Sequence, residues 1–339
     1  MPPVELLALV ALFLSQIFMT SAGPVPYNPE RAGSLTRRQQ YNSVPIVRRQ
    51  ENAGEQSCNG SPLLCDRKYS NVTFLGSHDS FADSPHWYAI SRTQEVPLEA
   101  QMKMGVRLLQ AQSHMYNGQL HFCHTTCGLF DGGTVEAYLL KVKKFLDENP
   151  TEIFTFIWTN PKFLSIDEVF KPLFEKTGMD KYAYIPPRPI MTRGDWPTLR
   201  EMIDTGKRLV VFIDKNADKP KNPEKEYILP QFKMMWEDVH NPTDASFPCS
   251  VHRTQPPLLP TQQLYLINHN LNYNLLPIGK GLKVPDTLNA PRTNGIPSIY
   301  RHAANCASIM DDQNPNYVML DFVNIGFGMH AVNHLNGLV

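Results

Sequence analysis

The sequence predicts an α/β protein built as one (β/α)8 barrel of the TIM type, distorted or incomplete, and cross-linked by disulfides. From about residue 58, apolar β-rich runs alternate with helical patterns, and repeated β-then-α order is typical of a parallel sheet covered by helices. Seven or eight such units in roughly 280 residues fit a single barrel better than an open sheet. No Gly-x-Gly-x-x-Gly turn follows the first expected strand, which argues against a dinucleotide-binding fold.

Strands are expected where short apolar runs occur, and helices where apolar residues recur every three to four positions. Runs such as 153–158 and 209–213 are apolar on both faces, as buried parallel strands are. In a barrel of this class, functional side chains lie in the loops after the carboxyl ends of the strands. The expected strands are 72–77, 105–111, 119–123, 152–159, 208–214, 263–268 and 317–323, and the expected helices are 134–147, 165–177, 197–205 and 226–238.

Residues 1–22 are expected to be a secretory signal peptide. An uninterrupted apolar run covers 6–14, and small residues precede Gly23. The segment before the run carries Glu5 and no Lys or Arg, so the signal is imperfect. An N-terminal membrane anchor is the alternative, for which the apolar run is short. The signal-peptide interpretation places the protein outside the cell.

Residues 23–49 resemble a propeptide or disordered leader, because they are rich in Pro, Ser, Asn and Arg and lack apolar periodicity. The pairs Arg37-Arg38 and Arg48-Arg49 are typical of processing sites, although chance pairs in a leader are the alternative. Cleavage after Arg49 leaves 50–339 as a single barrel domain and changes the formal charge from 0 to −3. Such a chain has no basic excess to drive nucleic-acid binding or adsorption to anionic lipid.

The six cysteines indicate three disulfides, since an even number of cysteines in a secreted chain is typical of a disulfide framework. Local spacing favours pairing the first two and the next two, which leaves one long-range bridge. A metal site built from His121, Cys123, His124 and Cys127 is the alternative. Two glycosylation sequons begin at Asn59 and Asn71. The expected pairs are Cys58–Cys65, Cys123–Cys127 and Cys249–Cys306.

Two histidines close apolar runs and are the first candidates for catalysis. His78 follows the run that begins near Asn71, and His124 follows 119–123. Two imidazoles held at neighbouring strand ends supply a general base and a general acid, which suffice to move a proton onto and off a phosphate ester. Asp321 lies in an otherwise apolar strand, and a buried carboxylate needs a partner. Barrel closure brings the last strand beside the first, so His78 is the expected partner.

Other polar residues follow the expected strands and are candidates for binding a substrate. Strand alternation places Gln110, Gln112 and His114 on one face. If Gln110 points into the barrel mouth, His114 lies at the rim of the same cavity. The remaining strand-end residues are Asp79, Asn160, Asp214, Asn268 and His269.

Several motifs in order resemble the X-domain of phosphatidylinositol-specific phospholipase C, and within that superfamily the secreted fungal phospholipase-C-like phosphodiesterases. The resemblance covers about residues 55–337. It is carried by Phe-Leu-Gly-Ser-His78-Asp79-Ser80, Gln101-Met-Lys-Met-Gly105, Leu-His-Phe-Cys-His124, the segment 196–214, Tyr265-Leu-Ile-Asn-His269, and Leu-Asp321-Phe-Val.

This resemblance implies a lyase-type cleavage in which a hydroxyl of the substrate attacks phosphorus. It gives His78 the role of general base and His124 that of general acid, with Asp321 orienting His78 and Asp79 near the phosphate. It leaves Gln110, Gln112, His114, Asp214 and His269 as candidates for substrate binding. We expect a monomer that needs no cofactor or metal. The expected partners are a phosphodiester, such as a phospholipid head group, and transiently a membrane surface.

The chain departs from the family pattern at Gln110-Ala-Gln112. Bacterial relatives have an acidic residue there and an arginine two positions on, and metal-dependent relatives have metal-binding carboxylates around that strand. Calcium and magnesium prefer carboxylates, so this pair of amides would make a poor site. The missing arginine removes a cation that stabilises charge in the transition state. Lys207, Arg208 and Arg193 are the candidates to replace it.

Three functions fit the sequence. We favour a secreted, metal-independent phosphodiesterase of the phospholipase C type that uses two histidines. The second is a metal-dependent glycerophosphodiester- or sphingomyelin-type phosphodiesterase. The third is a non-catalytic binding protein on the same barrel, which has lost charge stabilisation at Gln112.

Overall fold

Eight parallel strands follow one another around a barrel in the computed structural model, which describes residues 56–86, 88–218, 226–276 and 282–339. The strands of the chain are β1 (Phe74–Ser77), β2 (Val106–Tyr116), β3 (Gln119–Cys123), β4 (Asp131–Thr134), β5 (Phe154–Thr159), β6 (Leu209–Ile213), β7 (Ile228–Pro230), β8 (Met235–Glu237), β9 (Leu264–Asn268), β10 (Asn272–Leu276), β11 (Leu282–Pro285) and β12 (Tyr317–Leu320). The barrel order is β7, β6, β5, β2, β1, β12, β9, β8. The expected (β/α)8 class is therefore confirmed, including its incompleteness, because no ladder of the described residues joins β7 to β8.

The helices lie between these strands along the chain. The α-helices are α1 (Leu98–Lys103), α2 (Val135–Glu148), α3 (Lys171–Thr177), α4 (Leu199–Asp204), α5 (Gln231–Met234), α6 (Ala290–Thr293), α7 (Ile296–Ala307) and α8 (Gly328–Leu335). A π-helical turn, Ile166–Phe170, precedes α3. Thr134 begins α2 by accepting a hydrogen bond from the Ala137 amide, which satisfies one of the free N–H groups of the first turn. Within the described residues, no helix is both long and apolar enough to cross a bilayer.

Alternate residues of the barrel strands pack into two apolar clusters. In β6, Leu209, Val211 and Ile213 join the cluster that contains the buried face of α2, and Val210 and Phe212 join the second cluster. All five are fully buried. This is the packing that strands apolar on both faces require.

The register of β1 fixes the position of the site. Ser77, the last residue of β1, lies opposite Leu320 of β12 on one side and Leu109 of β2 on the other. Residues that follow β1 and β12 therefore emerge side by side at the same end of the barrel. Closure of the barrel therefore brings Asp321 beside His78, as predicted.

One expected helix was wrong, and one expected strand forms outside the parallel barrel. The segment 226–238 forms β7, the four-residue α5 and β8 instead of one helix. Pro230 has no backbone N–H, which disfavours a helix through it, and its apolar neighbours are buried as two short strands. The run 119–123 is no barrel strand, because β3 pairs antiparallel with the long end of β2 and then with β4.

The disulfides pair as expected. Cys58–Cys65, Cys123–Cys127 and Cys249–Cys306 have Cα–Cα distances of 5.1, 4.7 and 5.1 Å. The alternative metal site at Cys123 and Cys127 is thereby excluded, since both sulfurs are used. The expected signal peptide 1–22 and propeptide 23–49 lie outside the described residues, and residues from Asn52 onward form one compact unit.

Candidate active site

His78 and Asp321 form a buried pair where β1 and β12 end. Nδ1 of His78 lies 2.7 Å from Oδ1 of Asp321, and the two residues are 3% and 5% exposed. The carboxylate fixes the imidazole so that Nε2 is the nitrogen left for a reacting group. Asn270, which follows β9, places its Nδ2 3.1 Å from the same Nδ1.

Asp79 lies between the two candidate histidines. Its Oδ2 is 3.6 Å from Nε2 of His78 and 3.6 Å from Nε2 of His124. The two imidazole rings are 6.4 Å apart between centroids and nearly perpendicular. Asp79 adopts a left-handed backbone conformation with φ of 37°, which is uncommon for a residue other than glycine. A carboxylate shared by two imidazoles can stabilise a positive charge on either one.

Gln110 and Gln112 hold Asp79 in this position. Oε1 of Gln110 accepts a hydrogen bond from the Asp79 amide at 2.7 Å, and Nε2 of Gln112 donates to Oδ2 of Asp79 at 2.8 Å. Oε1 of Gln112 accepts from the amide of Thr125, the neighbour of His124, at 3.2 Å. The two glutamines therefore position other groups of the site through their amides.

His124 is presented by the β3–β4 hairpin, inside the loop closed by the Cys123–Cys127 disulfide. Its Nδ1 lies 2.5 Å from the carbonyl oxygen of Ser91. Because a carbonyl only accepts, Nδ1 carries a proton. Nε2 is then the nitrogen that gains or loses a proton, and it faces Asp79. This is the arrangement that a general acid requires.

The charge balance around His78 favours its protonated form. Burial alone lowers the pKa of His78, but the carboxylates of Asp321 and Asp79 outweigh this effect and raise the pKa to about 9. Burial raises the pKa of Asp321, opposed by His78. The proton belongs to the coupled pair, which we describe as an imidazolium beside a carboxylate. His78 must lose this proton before it can act as a base.

Sequence reasoning missed several groups that hold the site together. Ser91 and Asn270 contact the histidines directly, as described above. Gln94 donates from Nε2 to the carbonyls of His78, at 2.9 Å, and Leu320, at 3.2 Å. Thr93 donates to the Asp79 carbonyl at 3.0 Å. These residues lie in loops without a motif, so only the fold reveals their role.

Three further candidates are placed differently. His114 lies on β2, where burial lowers its pKa, opposed by the charge of Asp79, and its Nε2 makes no hydrogen bond to any described residue. Asp214 accepts from the Asn160 amide at 2.7 Å and lines a cavity of about 180 Å³. The ring of His269 contacts Thr293 and His302 and neither candidate catalytic histidine.

His269 belongs to a separate buried cluster. Its Nε2 lies 2.8 Å from the Thr293 carbonyl and its Nδ1 lies 2.9 Å from Nδ1 of His302, whose Nε2 lies 2.5 Å from Asp238. These three contacts join Asp238, His302, His269 and Thr293 in one chain of buried hydrogen bonds. The cluster is a core network at the ends of β8 and β9.

The cations expected to replace the missing arginine are at the wrong end of the barrel. Lys207 bonds the Lys181 carbonyl, and Arg208 bonds the carbonyls of Leu146, Asn149 and Glu152. Arg193 bonds Asn316 and the Ser70 carbonyl. These partners lie before the amino ends of β5, β1 and β12, opposite His78. The expectation that Lys207, Arg208 or Arg193 serves the phosphate is therefore wrong.

Gln110 and Gln112 offer a divalent metal little at this site. The side-chain oxygens of Gln110 and Gln112 each already accept a backbone hydrogen bond. A group with metal-ligand spacing lies elsewhere, at Asp238, His302 and Cys306. The sulfur of Cys306 is in a disulfide, so it is not the thiolate that a metal would bind.

The open parallel barrel, with a His–Asp pair where its first and last strands end, defines a PI-PLC-like fold. The chain belongs to the PI-PLC X family, because the family model PI-PLC X 1 matches residues 64–336. PI-PLC X domain-containing protein 1 of Arthroderma benhamiae is 39% identical over 286 residues, which cover 83% of this chain and 90% of that protein. This similarity confirms the resemblance identified in the sequence.

Two more distant comparisons extend this result. A protein of Arthroderma benhamiae named an uncharacterized secreted protein is 35% identical over 79% of this chain and 60% of its own length. The solved structure of a mutant of phosphatidylinositol-specific phospholipase C from Staphylococcus aureus matches with a TM-score of 0.52 and 13% identity, covering 79% of this chain and 94% of that one. At this identity, the structural similarity shows the fold.

Proposed function

We propose that the protein is a secreted phosphoric diester hydrolase or lyase of the phospholipase C type, which cleaves by acid–base catalysis. The observation that carries the proposal is the position of Asp79, whose Oδ2 is 3.6 Å from Nε2 of both His78 and His124. Both imidazoles are anchored through Nδ1, by Asp321 and by the Ser91 carbonyl. Both reactive nitrogens are therefore turned toward the same small space.

In the proposed reaction, a hydroxyl next to the phosphate attacks phosphorus. Nε2 of His78 takes the hydroxyl proton, while Nε2–H of His124 protonates the oxygen that leaves. The products are a cyclic phosphate and an alcohol, and each histidine ends in the protonation state that the other began with. Asp321 stabilises the imidazolium formed on His78, and Asp79 stabilises the imidazolium that His124 begins with.

Exposed apolar side chains around the mouth support a substrate held in a lipid surface. They lie in the segments that follow the carboxyl ends of β1, β5, β9 and β12, which include strand β10, and in the β3–β4 loop. Exposed apolar groups in one region mark interaction surfaces. Each is between 38% and 93% exposed. They are Tyr88, Ile90, Leu129, Phe163, Tyr273, Leu275, Leu288 and Phe327.

The proposal is tested by product analysis with phosphorus NMR on phosphatidylinositol and related diesters. We expect a cyclic phosphate from the wild type. His78→Ala and His124→Ala are each expected to lower kcat about 10²- to 10⁴-fold. His334→Ala, in α8, is the matched control and is expected to retain wild-type rates. Wild-type rates in both His78 and His124 variants would contradict the proposed mechanism.

The other two functions give different results in the same assay. A metal-dependent phosphodiesterase loses activity after chelation and regains it only with added metal, whereas the proposed mechanism is indifferent to a chelator. A non-catalytic binding protein binds the diester and turns over no member of the panel. Secretion is supported by the name of one relative and is tested by finding the mature chain in the culture medium.

A further inference from the structure

Arg253 forms an ion pair with a buried carboxylate at the carboxyl end of β8. Nη2 of Arg253 bonds Oε2 of Glu237, and Glu237 is 2% exposed. The backbones of the two residues also pair, with the amide of each donating to the carbonyl of the other at 3.0 Å. The guanidinium packs 5.3 Å from the Phe232 ring. The position of Arg253 is therefore held by an ion pair, by backbone pairing and by packing against an aromatic ring.

Glu237 accepts from only some of the hydrogen-bond donors of the Arg253 guanidinium. Arginine has five N–H donors, and Nη2 serves Glu237 and His240. Among the described residues, Nε and Nη1 have no hydrogen-bond acceptor. The Arg253 side chain remains 29% exposed, so a cation with unused donors reaches the surface of the mouth.

His240 adds a second donor. Its Nδ1 lies 3.1 Å from Nη2 of Arg253, and a guanidinium only donates, so Nδ1 accepts. The proton of neutral His240 is then on Nε2, for which the described residues provide no acceptor. Burial, and then the charge of Arg253, lower the pKa of His240 far below its usual range. Neutral His240 therefore has its donor at Nε2.

The pair borders the same mouth as the two catalytic candidates. Glu237 accepts from Nδ2 of Asn268 at 3.4 Å, and Asn270, two residues on, contacts His78. Strands β8, β9, β12 and β1 are consecutive around the barrel. The charge of Arg253 lowers the pKa of His78, and His78 lowers that of His240. Such coupling needs proximity.

We propose that Arg253 and His240 bind the anionic phosphoryl oxygens of the substrate and supply the charge that Gln112 does not. This inference rests on the proposed function, since it assigns the phosphate of the same reaction. Nη1 of Arg253 and Nε2–H of His240 donate to the two non-bridging oxygens. Both groups lie on the β8 side of the mouth. In bacterial relatives the corresponding cation lies on the second barrel strand, which is on the opposite side of the barrel.

The test is calorimetric titration of the full mature chain with inorganic phosphate at pH 7. The variant Glu237→Gln with Arg253→Gln removes both charges of the pair, so it leaves no buried carboxylate unpaired. The matched control is Arg107→Gln with Glu152→Gln. That pair has an Nε–Oε2 distance of 2.6 Å and lies at the amino end of β2. Circular dichroism confirms that each variant is folded.

The phosphate Kd is expected to rise about 10-fold or more in the Glu237→Gln, Arg253→Gln variant and to stay within about twofold of wild type in the control. The value of kcat/KM on the diester falls about 100-fold in the same variant. If that variant does not fold, Arg253→Lys replaces it, because lysine keeps the charge beside Glu237 but loses the planar fork. It is expected to bind phosphate more weakly than the wild type.

Equal phosphate affinity in wild type and in the Arg253 variants would overturn the inference, as would a wild type that binds no phosphate. Failure of the proposed function looks different. In that case no diester is cleaved by the wild type, while phosphate binding still depends on Arg253. The binding arm and the activity arm therefore report on the two proposals separately.

Discussion

Nε2 of Gln112 donates to Oδ2 of Asp79 at 2.8 Å, the carboxylate oxygen that faces both His78 and His124. Gln112 stands where bacterial relatives have an arginine that stabilises the phosphate charge. Its amide binds Asp79 instead. Through Oε1 it also holds the amide of Thr125, so it connects Asp79 to the loop of His124. Because this side chain is neutral, the two imidazoles are the groups that balance the charge of Asp79.

The first prediction concerns this connection. Gln112→Ala is expected to lower kcat/KM about 10- to 100-fold, because it frees both Asp79 and the His124 loop, and small displacements of catalytic groups are costly. Steady-state kinetics on the diester measure this. Gln119→Ala, at an exposed position on the same hairpin, is the control. Unchanged kinetics in Gln112→Ala would show that the bridge is dispensable.

The second prediction concerns pH. The pKa of His78 is about 9, raised by Asp321 and Asp79 against burial, and a base must be unprotonated. Because the proposed reaction also needs Nε2 of His124 protonated, the profile of kcat/KM is expected to be bell-shaped, and titration of His78 contributes one limb with a midpoint near pH 9. Asp79→Asn removes one of the two carboxylates, so it lowers the pKa of His78 and moves that limb to lower pH.

The pH profile of kcat/KM and NMR titration of the His78 ring measure the same shift in two ways. An unchanged midpoint in Asp79→Asn would mean that Asp79 does not act on His78. The matched variant is Asp131→Asn, which removes a carboxylate 2.8 Å from His121 on the same hairpin. It should leave the midpoint in place.

The third prediction separates two disulfides. Removing Cys123–Cys127 opens a loop with a sequence separation of 4, and removing Cys249–Cys306 opens one with a separation of 57. Loop entropy then costs about 2 and about 4 kcal/mol of stability respectively. The short disulfide holds His124, so its Ser pair should lose activity more than stability. Thermal unfolding and kcat on both variants decide this, and the reverse order would refute it.

The fourth prediction concerns the sequons. The side-chain amide of Asn59 donates to the Ile153 carbonyl at 3.1 Å and accepts from the Ile153 amide at 2.8 Å, and a glycan on its nitrogen would break this pairing. Asn71 is exposed at the end of a short 3-10 turn. Peptide mapping by mass spectrometry of the secreted chain is expected to find a glycan at Asn71 and none at Asn59. A fully occupied Asn59 would contradict this.

Long-range pairing was predictable where it followed from strand order. The proximity of His78 and Asp321 required only a parallel barrel whose last strand joins its first. The run from 226 to 238 could not be predicted in this way, because two three-residue strands and a helical turn have the same apolar spacing as one helix. Elements this short contain too few repeats of the apolar pattern to distinguish a helix from strands.

Arg253 could not be identified as a phosphate-binding candidate from the sequence, for a different reason. Arg253 lies in a loop with no apolar pattern around it, and its position depends on backbone pairing with Glu237, sixteen residues earlier. Lys207, Arg208 and Arg193 were the cations considered from the sequence. Sequence position does not say which end of a strand a side chain approaches, and these three approach the amino ends.

The unpaired seam between β7 and β8 also bears on how the chain avoids associating with itself. An open barrel leaves two sheet edges, and exposed edges recruit strands from other molecules. Here each edge strand has only three residues, and β7 ends in Pro230, which has no N–H to offer a neighbour. The opening in the barrel therefore offers few backbone groups for β-pairing with another molecule.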